Sequence, residues 1–154
     1  MKAAAEVILT IGHIVTAILG FGAVAVTGAQ ALVARRNPAA TSVKRYFREG
    51  PNWIAMSLLL TPLFGGALEV VDNYPDVHRL WPWLALGIWL IAAAVGGHVH
   101  WPAEQRIQRS LADAADSNAV GPVFQRASVV AAASSAVMVA AFAGALVVMV
   151  TQPG

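Results

Sequence analysis

Residues 7–33 read VILTIGHIVTAILGFGAVAVTGAQALV and contain no Asp, Glu, Lys or Arg between Val7 and Val33. A helix needs about 20 mostly apolar residues to cross the hydrocarbon core of a bilayer. The preceding MKAAAE, with Lys2 before an apolar run, has the look of a signal peptide. However, the h-region of such a leader ends after roughly 7–15 residues, and this run continues to Arg35 and Arg36. It reads as a retained first span, long enough to tilt or to protrude.

Working outward from this run, the same criterion predicts three more spans. The second covers about 53–71, after Gly50-Pro51-Asn52. The third covers about 81–101, with Pro82 suited to a first helical turn. The fourth covers about 128–150, and Pro122 to Arg126 can extend it at its start. Between spans three and four, the segment from Ala103 reads as an extension of the third helix. Ser117-Asn118 and Gly121-Pro122 then break it. The expected fold is all-α: a single transmembrane domain over 1–154, an integral membrane four-helix bundle of antiparallel up-down spans.

Composition agrees. The chain has 154 residues, 58% hydrophobic and only 12% charged, against about a quarter charged in soluble domains. A net charge of +2 with no basic run longer than a pair gives no reason to expect nucleic acid. Cysteine is absent, which removes disulfides, thiolate metal sites, iron–sulfur clusters and thiol catalysis.

The basic residues act as topology signals. Arg35, Arg36, Lys44, Arg45 and Arg48 cluster in the first loop, and Arg106, Arg109 and Arg126 in the third. The second loop holds Asp72, Asp76 and Arg79. The positive-inside rule predicts that loops 35–52 and 102–127 are cytoplasmic. Both termini then face outside, with Lys2 the one dissenting charge. Trp53 and Trp101 fall at the inner boundary, and Tyr74, Trp81 and Trp83 at the outer one, as amphipathic rings favour. Trp89 lies near mid-membrane.

Ionisable groups inside a membrane are costly and mark functional sites. His13 lies two turns into span one, roughly 9–13 Å below its outer end. A neutral imidazole there can bind haem iron or another metal, relay a proton, or simply bridge helices through a Ser or Thr. Glu69, near the outer end of span two, and Asp72 are candidates to orient His13 through its second nitrogen. His98 and His100 sit at the inner end of span three. Their two-residue spacing turns them about 200° apart, so they cannot chelate one ion together. His100 reads as an interfacial polar residue. His98, after Gly96-Gly97, is the deeper metal candidate. On this topology His13 and His98 differ in height by roughly 10–15 Å, too far to share one haem. Met56, Met138 and Met149 are scattered and read as packing residues. Hydrolase, P-loop and dinucleotide fingerprints are absent, so no catalytic residue is assigned.

Three stretches carry a resemblance. Span one contains GHIVTAILGFG (12–22), span three and its extension read WPWLALGIWLIAAAVGGHVHWPAEQRIQRSLA (81–112), and the chain closes MVTQP (149–153). Together these resemble a bacterial family of four-span predicted integral membrane proteins, distantly similar to copper-resistance D proteins and HemJ-type protoporphyrinogen oxidases. The resemblance covers most of the chain. It implies a bacterial plasma-membrane location and places the haem-binding histidine of the HemJ group on His13. Gly20 stands where those groups commonly carry an aromatic, and Gln152 where they carry Lys. Span three has no lysine to match the HemJ catalytic one, so the resemblance implies haem b without implying oxidase activity.

Three functions follow as expectations. The first is a membrane protein binding haem b or a metal through His13. The second is a non-catalytic accessory protein that meets the bilayer and a second copy or another membrane protein through small-residue faces. Gly20, Ala23 and Thr27 on span one and Ala136, Ala140 and Gly144 on span four would supply those faces. The third is a small transporter or channel subunit, with Pro62 and Gly65-Gly66 as a break in span two.

Overall fold

The computed structural model describes residues 2–72, 76–117 and 121–153, with side chains described for all but 115–117. Tyr74, Asn118 and the side chains of Asp116 and Ser117 lie outside the described residues. The described residues are all-α, with α1 at Lys2–Arg36, α2 at Thr41–Tyr46, α3 at Trp53–Met56, α4 at Thr61–Val71, α5 at Leu80–Val95, α6 at Trp101–Ser117 and α7 at Pro122–Thr151. A 3-10 turn, Ser57–Leu60, joins α3 to α4, and a π-turn, Gly96–His100, joins α5 to α6. Four of the resulting stretches are long and apolar enough to cross a membrane: Lys2–Arg36, Trp53–Val71, Leu80–Ala114 and Pro122–Thr151.

These bounds refine the sequence expectations. The first helix starts at Lys2 instead of Val7, because Ala3, Ala4 and Ala5 are strong helix formers. At 35 residues it is about 52 Å long, well beyond the ~30 Å hydrocarbon core. The fourth helix already begins at Pro122, where the missing N–H costs nothing. Most of the third loop is helix α6, as its continuous pattern suggested. Large apolar side chains, among them Ile8, Ile11, Ile14 and Ile18 of α1, remain exposed. On a water-facing surface such a stripe would be a liability; on a membrane span it is the lipid face.

Contacts group the residues into two units. One comprises Met1–Ala23, Asn52–Ala93 and Ala140–Gly154, the other Val24–Pro51 and Ala94–Val139. In the first, α1 runs antiparallel to the α3–α4 segment. A Cβ on Gly12 would touch the Phe64 ring, and one on Gly20 would touch Leu58. Leu58 is fully buried. Pro62 has no N–H to give the Leu58 carbonyl four residues back. That carbonyl instead accepts the Thr61 N–H and, at 3.0 Å, the indole N–H of Trp89. Trp89 is therefore at mid-span as a partner for a helix break. Phe21 stacks on Phe142 with centroids 4.6 Å apart.

In the second unit, Ala31, Ala34, Val43, Phe47, Ala103, Ile107, Phe124, Ala127 and Ala131 form one buried cluster. Short helix α2 contributes Val43 to it, and Phe47 follows directly. Polar groups lie alongside this core. The hydroxyls of Thr27 and Tyr46 meet at 2.6 Å, Ser135 donates to the Val24 carbonyl at 2.8 Å, and Gln108 donates to the Gly50 carbonyl at 3.1 Å.

Candidate functional site

His13 sits on α1 where that helix passes α4. Its Nδ1 is 2.9 Å from the carbonyl oxygen of Thr61. A carbonyl can only accept, so Nδ1 carries the proton and donates it. In the neutral ring the lone pair is then on Nε2. Among the described residues no protein group bonds Nε2.

Thr61 can serve this way because of the chain's local breaks. It follows the 3-10 turn and precedes Pro62, so it opens α4. A carbonyl oxygen has two lone pairs, and a helical bond uses one. Gly65, one turn on, makes the space: a Cβ there would lie 3.2 Å from both Cε1 and Nδ1 of His13. Thr61 Oγ1 donates to Thr16 Oγ1 at 3.3 Å, and Thr16 Oγ1 donates to the Gly12 carbonyl at 2.8 Å. The imidazole is thus held by a backbone carbonyl, a glycine recess and a short hydroxyl chain. This is the support a ligating imidazole requires: one nitrogen committed to an acceptor, the other left with its lone pair.

Glu69 is half-buried, and its Oε2 is enclosed without a hydrogen-bond partner. It lies eight residues beyond Thr61, about 12 Å of helical rise. The hydrogen bond on His13 Nδ1 is taken by the Thr61 carbonyl and not by Glu69. Asp72 is joined to Lys2 at 3.5 Å.

The two remaining span histidines differ from the sequence expectation. His98 is exposed, whereas His100 is fully buried. The reason is the π-turn, in which the Trp101 N–H reaches back to the Gly96 carbonyl. Gly96 fits there because a Cβ would come within 3.1 Å of Met138 Cε. His100 then falls on the face of Ala103, Glu104, Ile107 and Gln108, all buried. That spacing of three, four, seven and eight residues is the signal in the sequence that marks His100 as internal. Its Nδ1 is 3.0 Å from Ser134 Oγ. The Ser134 proton is directed to the carbonyls of Val130 at 2.7 Å and Ala131 at 3.2 Å, so His100 donates to the hydroxyl. Its Nε2 is buried without a partner, as are Gln30 Oε1, Trp101 Nε1 and Ser128 Oγ in the same unit. Among the described residues, no three His, Asp or Glu side chains are grouped to hold a metal ion.

A family model described as Predicted integral membrane protein (DUF2269) matches residues 7–153. The chain belongs to this family. The matched region of this DUF2269 protein begins just before His13 and takes in all four spans. Comparison with curated proteins and with solved structures returned no match. Of the small-residue faces, Gly20 and Thr27 of the DUF2269 chain are used internally, against Leu58 and Tyr46. Ala136 and Ala140 on α7 are exposed, and a Cβ on Gly144 would meet nothing.

Proposed function

We propose that this DUF2269 protein binds haem b in the membrane, with His13 Nε2 as the protein atom that would hold the iron. The observation that carries the reading is the His13 Nδ1 to Thr61 carbonyl contact at 2.9 Å. It fixes the tautomer and leaves the Nε2 lone pair for a ligand. A single-histidine haem site asks for no cluster of protein ligands, which fits a chain whose described residues offer none. In this reading His13 holds the iron, Thr61 orients the ring, and Gly65 leaves space for it. Haem b so bound would supply one-electron chemistry. No oxidase activity is assigned, since no span-three lysine is present.

The proposed setting is the bacterial plasma membrane. Arg35, Arg36, Lys44, Arg45 and Arg48 favour a cytoplasmic first loop, and residues 102–127 go with it, leaving both termini outside. Haem titration of the purified protein tests the haem reading. A Soret shift that saturates in the wild type and is lost in His13→Ala supports it. A shift of equal size in His13→Ala shows that the haem is held elsewhere.

A second reading is an accessory role, favoured by a stripe on α7 in which Ala136 and Ala140 are exposed and a Cβ on Gly144 would meet nothing. Small residues let spans approach closely in lipid. Native mass spectrometry showing a dimer that is lost in Ala140→Leu supports this; a monomer at all concentrations counts against it.

A further inference from the structure

The second unit carries an open surface groove lined by Arg35, Gln125, Arg126, Val129 and Val130. Arg35 lies in the last turn of α1 and Arg126 in the first turns of α7. The Gln125 side chain donates to the Arg35 carbonyl at 3.5 Å and ties these helix ends together. Both guanidinium groups are exposed, and among the described residues neither meets a carboxylate. Val129 and Val130 continue from the charged mouth along α7, and both are substantially exposed.

We propose that this groove is a binding site for an anionic phospholipid, with the phosphate between Arg35 and Arg126 and an acyl chain along Val129 and Val130. Three features argue for lipid over other occupants. Two uncompensated guanidinia call for an anion, and Arg matches phosphate oxygens with a planar fork. The N-terminus of the long helix α7 lies close by and adds positive potential. The apolar side of the groove, Val129 and Val130, leads away from the charge along a membrane span, which suits a molecule with a charged head and a hydrocarbon tail. Basic pockets at the ends of spans recognise acidic headgroups in this way. The proposal is independent of haem at His13.

The test uses the full chain in detergent and native mass spectrometry. Phosphatidylglycerol, phosphatidylcholine and inorganic phosphate are the probes. The expected result is a phosphatidylglycerol adduct that outlasts the phosphatidylcholine adduct. It should weaken roughly 30-fold in Arg35→Gln/Arg126→Gln, two cations each contributing what an interfacial cation gives. The matched control Arg106→Gln/Arg109→Gln should retain it, and Val129→Gln should weaken it. Thermal unfolding of each variant confirms that it is folded. Equal retention of the two lipids, equal loss in the control pair, or full displacement by inorganic phosphate would each overturn the proposal.

Discussion

The Nδ1 of His13 donates to the carbonyl oxygen of Thr61 across 2.9 Å, joining residues 48 positions apart in sequence. The contact exists because the second span is not a uniform helix. A 3-10 turn ends at Leu60, Pro62 follows, and the carbonyl between them faces α1. A helix break in one span thereby sets the tautomer of an imidazole in another.

The glycine recess beside this ring is open to a direct test. In Gly65→Ala the new methyl would lie 3.2 Å from His13 Cε1 and Nδ1, so the ring must give by a few tenths of an ångström. Haem affinity is expected to fall by about 10-fold, the scale on which disturbed ligand support acts. Gly66→Ala, where a Cβ meets nothing, is expected to bind as the wild type does. Parallel haem titrations of the two variants measure the difference.

Two neighbouring glycines of α1 predict opposite stabilities. A Cβ on Gly20 would sit 2.5 Å from the Leu58 backbone nitrogen and 2.7 Å from its Cα, and backbone cannot swing aside. Gly20→Ala is expected to destabilise by about 1–3 kcal/mol. A Cβ on Gly22 meets nothing, and Gly22→Ala is expected to stay within about 1 kcal/mol of wild type, on the favourable side through helix propensity. Thermal unfolding in a single detergent compares them.

His100 gives a third prediction. His100→Leu removes a buried, unpartnered Nε2 and leaves Ser134 with its carbonyl acceptors. Loss of the Nδ1 bond and gain from removing the orphan nitrogen are of similar size, so stability should change by less than about 1 kcal/mol. His100→Ala empties a fully buried site and is expected to cost about 2–4 kcal/mol, in the range of large-to-small core changes. Equal losses in both variants would show that the imidazole has a polar partner.

Topology is accessible because the chain has no cysteine. Ser42→Cys and Gln152→Cys introduce single thiols at exposed positions in the first loop and near the C-terminus. In intact cells an impermeant thiol reagent should label Gln152→Cys at once and Ser42→Cys only after permeabilisation. The reverse pattern would invert the proposed orientation.

The spans were legible because their signal is a long one-dimensional apolar run, and a run such as 7–33 outweighs any local ambiguity. His13 was legible for the same reason, as a lone ionisable group inside that run. Its partner was not. Thr61 acts through its carbonyl, which every residue has, so no residue type marks it. The inversion of His98 and His100 has a different cause. Spacing alone gives their mutual angle, but which of the two faces inward depends on the π-turn at Gly96 and on the buried face that continues into α6. Glu69 lies near the C-terminal end of its span. Its side chain was paired with His13 by height alone, and height does not determine which acceptor arrives first.

The central claim is tested most directly by the haem content and visible spectrum of the protein purified from its native membrane. The account predicts a Soret band, with about one haem per chain, that disappears in His13→Ala while the variant remains folded. A colourless wild-type protein, or a His13→Ala variant carrying the same haem, would contradict it.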